Sequence, residues 1–346
     1  MNDDAPLPPR PPRRPRYRGK NPRRFEEKYK ERDPLRYGET IAKVLASGKT
    51  PAGTHRPVMV REVLEALAPV PGASAVDCTL GYGGHAQEIL ARISPGGGLL
   101  GLDADPIELP KTEARLRLLG YGPEVFSAYR SNFAGLQKVL AKAGLPGADL
   151  ILADLGVSSM QIDDPSRGFS TKQAGPLDMR MNPARGQSAS AFLRAIDAGK
   201  LARLLEENSD EPQAERLAAA LAGKSFPTTL SLASAIRAEL SRYSEEAVDL
   251  TVRRVFQALR IAVNDEFSAL DALLRQLPSC LNPGGRVAIL TFHSGEDRRV
   301  KKSFAAGRDA RLYSQISDEV IRPSAVERNA NPRSSSAKLR WARRST

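Results

Sequence analysis

Only two cysteines, Cys78 and Cys280, occur in the 346 residues, far apart and without ligand-like neighbours. Their scarcity excludes a disulfide framework and a cysteine-rich zinc site, and it points to a reducing, cytoplasmic setting. No cluster of metal ligands stands out either, so no metal is expected. Long apolar runs are also missing: nothing approaches the roughly 18 residues that a membrane span needs. The layout of a signal peptide is not seen, and neither secretion nor a membrane partner is expected. What is present is a chain that is 41% hydrophobic. That is enough for a real core, at a length that suits two domains or one domain with an insertion.

The net charge is +12 and is unevenly placed. Residues 1–24 hold eight Lys/Arg against two Asp, and the stretch from Arg333 to Thr346 adds Arg333, Lys338, Arg340, Arg343 and Arg344 with no acid. Two basic ends on a mildly basic body fit a polyanionic partner. Solubilising tails would look the same. The first 24 residues are rich in Pro and Arg and too poor in apolar side chains to offset the entropy of ordering, so disorder is expected there. Residues 25–48 show some helical periodicity at Ile41, Val44 and Leu45, consistent with one short helix.

From His55 the pattern turns globular. Val60, Val63, Leu64 and Leu67 mark an apolar helical face ended by Pro69 and Gly72. Strands are expected at Ala75–Thr79, Leu99–Leu102, Glu124–Ala128 and Asp149–Ala153, with helices at 86–93, 107–119 and 133–143 between them. Pro110 is tolerable only in the first turn of its helix. Strands alternating with helices argue for a parallel, doubly wound sheet. Alternation stops near residue 160. A long loop is followed by helices at 188–197, 199–207, 212–222, 229–239 and 244–249. Helix 252–277, the Asn282-Pro283-Gly284-Gly285 turn and a strand at Gly285–Thr291 then return the chain to the sheet. The expected layout is an α/β domain over 51–160 and 251–346, an inserted helical domain over 161–250, and a basic extension over 1–50. Residues 305–332 are poorly patterned.

In an open parallel sheet, ligands bind beyond the carboxyl ends of the strands. Three signals fall there. Gly81-Tyr82-Gly83-Gly84-His85 follows the first strand, and glycines allow a tight turn and close approach of backbone to a ligand. The loop lacks the Lys-Ser/Thr ending of a phosphate-cradling loop, which argues against a nucleoside triphosphatase. Asp103 ends the second strand about 20 residues on, where a carboxylate can accept from both ribose hydroxyls. Asp105 competes for that role but reads as the start of the next helix. Asp154 ends the fourth strand over a Gly/Ser turn. The set favours an S-adenosylmethionine-dependent methyltransferase, while spacing alone leaves a nicotinamide dehydrogenase open.

These pieces, with others, resemble one family. The segments are His55-Arg56-Pro57-Val58, Asp77 to His85, Asp154-Leu155-Gly156-Val157-Ser158-Ser159, Arg167-Gly168-Phe169-Ser170, Gly175 to Met181, Arg254 to Ile261, Phe292-His293-Ser294 and Asn331-Pro332-Arg333-Ser334. In this order they are similar to the bacterial small-subunit ribosomal RNA cytosine-N4 methyltransferases, the MraW family, over roughly His55 to Arg344. The resemblance implies a Rossmann-like S-adenosylmethionine-dependent methyltransferase fold, α/β in class, with an inserted all-helical domain. It implies that Gly83, Gly84 and His85 line the S-adenosyl-L-methionine pocket, that Asp103 holds the ribose and that Phe133 contacts the adenine. Asp154 and Gln161 would complete the site. It further implies 16S ribosomal RNA as partner, within the small subunit or a late precursor, and N4-methylcytosine in the decoding region as product. Assembly as a homodimer is left open. The chain departs from the family at Gly295, where Leu is usual, at Ser209-Asp210-Glu211, where Gly-Glu-Glu is usual, and at Ser335, where Arg is common.

Methyl transfer to an exocyclic amine needs the nitrogen in line with the sulfonium methyl. An acceptor for the amino group of cytosine would localise its lone pair; Asp154, a neighbouring backbone carbonyl and Asp178 are the candidates. Cys78 reads as core and Cys280 precedes a turn, so C5 methylation through a cysteine nucleophile is not expected. His293 either contacts substrate or caps its turn. Arg167, Arg180, Arg260 and the Arg298-Arg299-Lys301-Lys302 run are candidate phosphate contacts, Arg180 foremost. Phe169 is a candidate stacking surface or a plain loop anchor.

Overall fold

The computed structural model describes residues 57–346. The extension expected over residues 1–50 lies outside them. Helix α1 (Val60–Leu67) buries Val63, Ala66 and Leu67 and stops where Ala68 turns left-handed, just before Pro69. Five strands then build a parallel sheet: β1 (Ser74–Asp77), β2 (Gly98–Asp103), β3 (Phe126–Arg130), β4 (Ala148–Asp154) and β5 (Leu281–Thr291). Helices α2 (Gly84–Ile93), α3 (Leu109–Leu118) and α4 (Leu136–Lys142) connect the first four. Pro110 sits in the first turn of α3, where its missing N–H costs nothing.

The strand order is β3-β2-β1-β4-β5-β7-β6. Here β6 is Tyr313–Ile316 and β7 is Lys338–Arg344, and β7 runs antiparallel between β5 and β6. Strand β1 has β2 on one side and β4 on the other, so the winding reverses there and a crevice opens beyond the carboxyl ends of β1 and β4. Side chains alternate between two cores. Val76, Ile151, Ala153 and Ile289 face one, and Ala75, Leu150, Leu152 and Leu290 face the other. A sheet buried on both faces holds its strand ends still, and the site is built on those ends.

Between β4 and β5 the chain leaves the sheet. A short helix α5 (Ser159–Asp163) precedes α6 (Ala189–Ala195), α7 (Ala198–Ser209), α8 (Ala214–Leu221), α9 (Thr229–Glu239) and α10 (Glu245–Asn264). These helices share a separate core that includes Leu193, Leu205, Leu217, Leu232, Val252 and Leu259. The fold is thus a Rossmann-like methyltransferase sheet carrying a helical insertion. Where the pattern predicts one piece at 244–249 and another at 252–277, the structure has a continuous α10, then α11 (Glu266–Cys280). The break falls at Asp265, whose φ of 50° lies in the left-handed region that Asp tolerates better than most residues.

The basic C-terminus is not a tail. It forms β7, and its cations are engaged inside the fold. Arg340 Nε lies 2.6 Å from Asp297 Oδ1 on helix α12 (Ser294–Asp309), and Lys338 Nζ lies 3.4 Å from Asp297 Oδ2. Arg343 donates to Gly284 O, and Arg344 to Leu281 O. Charge alone hid a strand whose Leu339 and Ala342 are fully buried. Among the described residues, no helix is long and apolar enough to cross a membrane, and no group of three or more metal-ligating side chains is found.

Candidate functional site

The loop after β1 stays pinned as it leaves the sheet. Cys78 N–H donates to Leu152 O on β4, and Leu80 N–H donates to Leu102 O on β2. Gly81 and Gly83 then adopt φ of 48° and 73°. A side chain on Gly83 would come within 3.0 Å of Thr112 Cγ2, and one on Gly84 within 2.4 Å of Pro57 Cγ, so neither position has room for one. Helix α3 clamps the same loop: Thr112 Oγ1 donates to Gly81 O at 2.6 Å, and Arg115 donates to Tyr82 O while lying 4.0 Å over its ring. Gly81 N–H donates to Asp103 Oδ2 at 2.8 Å, and Asp105 N–H to Asp103 Oδ1 at 2.8 Å. Glycine loop and strand-two acid form one rigid edge.

Three acids gather at this edge. Burial pushes Asp77 up to about 7, against the opposing hydrogen bond from Thr79 N–H. Burial likewise raises Asp103 to about 6. Asp154 rises to about 8, through burial first and then the charges of Asp77 and Glu296. Thr79 links the first and third: its N–H donates to Asp77 Oδ1, and its Oγ1 accepts from Asp154 N–H at 2.6 Å. His85, in the first turn of α2, is buried and held neutral, its pKa lowered to about 4 by burial. Its Nε2 lies 3.6 Å from Asp154 Oδ2. Among the described residues, His85 Nε2 and Asp154 Oδ1 have no hydrogen-bond partner, although both atoms are shut off from solvent. Buried polar atoms are normally paired, so these two open positions fit a bound polar ligand. A cationic ligand suits them best, beside two acids whose ionised forms are disfavoured without one.

The remaining candidates divide. Phe133 opens a 3-10 turn, Phe133–Gly135, just beyond β3 and is partly buried against the core. Gln161 is occupied at both ends of its amide: Ser158 N–H donates to Oε1, and Nε2 donates to Asp105 Oδ2 at 2.8 Å. Asp105 is therefore more than a helix start. It also takes Arg167 Nη1 at 2.7 Å, and both side chains are almost wholly buried. Arg167 is an internal strut rather than a phosphate contact. Arg180 forks onto Asp178 through Nε and Nη2, and Arg260 onto Glu266 in the same way. Phe169 is buried in the core of the insertion and anchors its loop. His293 Nε2 lies 3.2 Å from Glu296 Oε1, and its ring packs 5.7 Å from that of Phe267. Glu296 is raised by burial, yet the hydrogen bond and charge of His293, with Arg260 and Phe292 N–H, hold it below its usual value. Cys78 is buried core, as the pattern implies.

Residues 52–345 match the MraW methylase family. The chain belongs to that family. It is 51% identical over 339 residues to Ribosomal RNA small subunit methyltransferase H 1 of Lachnoclostridium phytofermentans, covering 95% of this chain and 92% of that one. It is 47% identical to Ribosomal RNA small subunit methyltransferase H 2 of Alkaliphilus metalliredigens, covering 95% and 97%. An rRNA methylase structure from Streptococcus thermophilus superposes at a TM-score of 0.39 and 11% identity, covering 83% of this chain and 94% of that one. The fold assignment rests on the strand order. The chain is thus a methyltransferase, and its methyl donor is S-adenosyl-L-methionine.

Gly295 and Asp210 of this methylase lie at one place. A side chain on Gly295 would come within 2.7 Å of Phe267 Cζ, so the Phe267 ring fills the space that a larger residue would need. Beside it, Asp210 accepts from Ser294 Oγ at 2.8 Å and from Arg298 Nη2 at 3.0 Å. Asp210 ends α7 of the insertion and Ser294 starts α12 of the sheet domain, so this contact joins the two. Sequence reasoning missed Thr79, Thr112 and Arg115, since each acts through a backbone group whose position only the fold defines.

Proposed function

We propose that this methylase transfers a methyl group from S-adenosyl-L-methionine to N4 of cytosine 1402 in the decoding region of 16S ribosomal RNA. The observation that carries the reading is the 51% identity, over 95% of the chain, to a protein named as a small-subunit ribosomal RNA methyltransferase. The substrate is the small subunit or a late precursor of it, in the cytoplasm. Gly83, Gly84 and His85 line the donor pocket, Asp103 holds the ribose, Phe133 contacts the adenine, and Asp154 and Gln161 close the site. Gln161 acts there by position, since both ends of its amide are engaged. Residues 161–250 shape the RNA-binding face over a methyltransferase domain formed by 51–160 and 251–346.

When bound, S-adenosyl-L-methionine supplies an electrophilic methyl carbon on a sulfonium. The protein's own groups place the acceptor. The lone pair of cytosine N4 is delocalised into the ring, and an acceptor for the amino hydrogens localises it and holds it in line. Asp178 is unsuited, because its two carboxylate oxygens are taken by Arg180. Asp154, at the end of β4, keeps one buried oxygen without a hydrogen-bond partner among the described residues. The base must be unpaired or flipped to enter. A covalent route through cysteine is disfavoured, as both thiols are buried and burial raises both.

Incubation with methyl-labelled donor and unmodified small subunits is the test. Label is expected in the RNA. Label in ribosomal protein alone, or transfer only to free RNA of unrelated sequence, would contradict the proposal.

A further inference from the structure

We infer that Arg260 is a specificity-determining residue for the acceptor base: an N–H of its Nη1 donates to the ring carbonyl O2 of the cytosine whose N4 is methylated. The inference rests on cytosine as the acceptor and deepens that reading. It concerns the part of the base that does not react.

The groups assigned to the donor occupy one half of the sheet. Gly83 and Gly84 follow β1, Asp103 ends β2, and Phe133 lies just beyond β3. In the order β3-β2-β1-β4-β5, the ends of β4 and β5 are left for the acceptor. Asp154 on β4 pairs in register with Leu290 on β5, so Gly156 and Phe292 each stand two residues further along. A side chain on Gly156 would lie 3.9 Å from Phe292 Cδ2 and 4.0 Å from Arg260 Nη1. The φ of 98° at Gly156 reserves that place for glycine. Beyond β4 there is thus a gap bounded by an aromatic ring and a guanidinium nitrogen.

Arg260 is aimed by a second residue. Its Nε and Nη2 donate to Glu266 Oε1 and Oε2, each at 2.8 Å, across the break between α10 and α11. That fork fixes the guanidinium plane. It leaves both N–H groups of Nη1 without a partner among the described residues, and Nη1, unlike Asp154 Oδ1, is not shut off from solvent. Arg167 and Arg180 have no such freedom. In Arg167, Nη1 goes to Asp105 and Nη2 to the carbonyls of Arg180 and Met181. In Arg180, Nη1 goes to Gly186 O and Nη2 to Asp178.

The charge of the pair selects its ligand. The side chains of Arg260 and Glu266 keep 17% and 9% of their surface, and their charges cancel. A phosphate would bring an unmatched negative charge into a nearly buried place. A neutral carbonyl accepts from Nη1 without that cost. On cytosine, O2 and N4 flank the ring nitrogen N3 along one edge, so a donor fixed on O2 also sets the angle at which N4 meets the methyl. Adenine has an exocyclic amine but no carbonyl, and would leave the Nη1 donor unpaired.

The test pairs a change in the protein with a change in the base. Small subunits are prepared with either cytidine or a 2-aminopyridine C-nucleoside at the target position; the analogue keeps the ring nitrogen and the amine but lacks the carbonyl. Single-turnover transfer at subsaturating subunits is measured for the full-length chain and for Arg260→Met. The wild-type chain is expected to prefer cytosine, and Arg260→Met to reduce that preference about thirtyfold by slowing transfer to cytosine alone. Donor affinity is expected to stay within about threefold. An internal strut would slow both acceptors equally, and a preference unchanged by the substitution would overturn the inference. Arg260→Lys keeps a cation beside Glu266 in case Arg260→Met does not fold; it is expected to lose the preference too, because one ammonium cannot reproduce the fork and the free nitrogen together. Equal rates on the two acceptors in the wild-type chain would also overturn the inference. No transfer to cytosine at all would remove the substrate reading itself, whereas transfer to cytosine that ignores Arg260 removes this inference alone.

Discussion

Arg167 Nη1 lies 2.7 Å from Asp105 Oδ2, an ion pair almost wholly out of water that joins the loop after β2 to the start of the insertion. Arg167 also donates to Arg180 O and Met181 O, so one guanidinium fixes the 178–181 loop against the donor side of the site. Removing one partner of a buried pair leaves the other charged and unmatched. Arg167→Met is therefore expected to cost about 3–5 kcal/mol of stability in urea unfolding. The salt slope of RNA binding is expected to stay unchanged. A stable variant with a shallower slope would mean that Arg167 touches phosphate after all.

Asp103 is expected to dominate donor affinity. Charge-assisted hydrogen bonds to two ribose hydroxyls are worth about 2 kcal/mol, so Asp103→Ala should weaken donor binding roughly thirtyfold. Affinity should also fall as pH drops through about 6, where the Asp103 carboxylate takes up its proton. Calorimetry across that range checks both. Full affinity in the variant would remove Asp103 from the site.

The ligand-free protein should be more stable in mild acid than at pH 8.5. Asp77, Asp103 and Asp154 all have pKa values raised above the usual 3.8. The folded chain therefore holds protons that the unfolded chain has released, and stability falls as pH rises from about 4 to about 8. Acids lowered by their partners, such as Asp178 and Asp297, act in the opposite sense at lower pH, and His85, lowered to about 4, offsets part of the fall between about 4 and 6.5. Melting temperature against pH is the measurement. Asp154→Asn should flatten the upper part of the curve, and a curve still climbing from pH 6 to 8 would contradict the assignment.

Much of this was readable beforehand, and the failures have physical causes. The first four strands, the glycine loop and the acids at 103 and 154 stood out because a strand buried on both faces is a run of apolar residues ending abruptly in a polar one. The α10–α11 break was missed because Asp265 in an apolar-periodic run looks like a helix residue until its φ is known. Strand β7 was missed because Lys338, Arg340, Arg343 and Arg344 read as a solvated charge run. Their partners, Asp297 and the carbonyls of Gly284 and Leu281, lie over 40 residues away. The settings of Arg167, Arg180 and Arg260 were illegible for the same reason: an arginine's partner is a matter of fold, and all three pair with a carboxylate within the chain.

The N-terminal extension remains the better candidate for electrostatic attraction to RNA, since the C-terminal cations are engaged. Deleting residues 1–24, which carry eight Lys/Arg, should weaken RNA binding and reduce its dependence on salt while leaving donor affinity intact. Binding isotherms at several salt concentrations check this, and an unchanged slope would deny the extension that role.

The most direct test of the central claim is the identity of the methylated nucleoside. Small subunits lacking the modification are incubated with the chain and labelled donor, and the 16S RNA is digested and its nucleosides separated. The account predicts label in N4-methylcytosine, carried by the fragment that contains cytosine 1402. Label in 5-methylcytosine, in a methylated adenine or in a fragment outside the decoding region would contradict it.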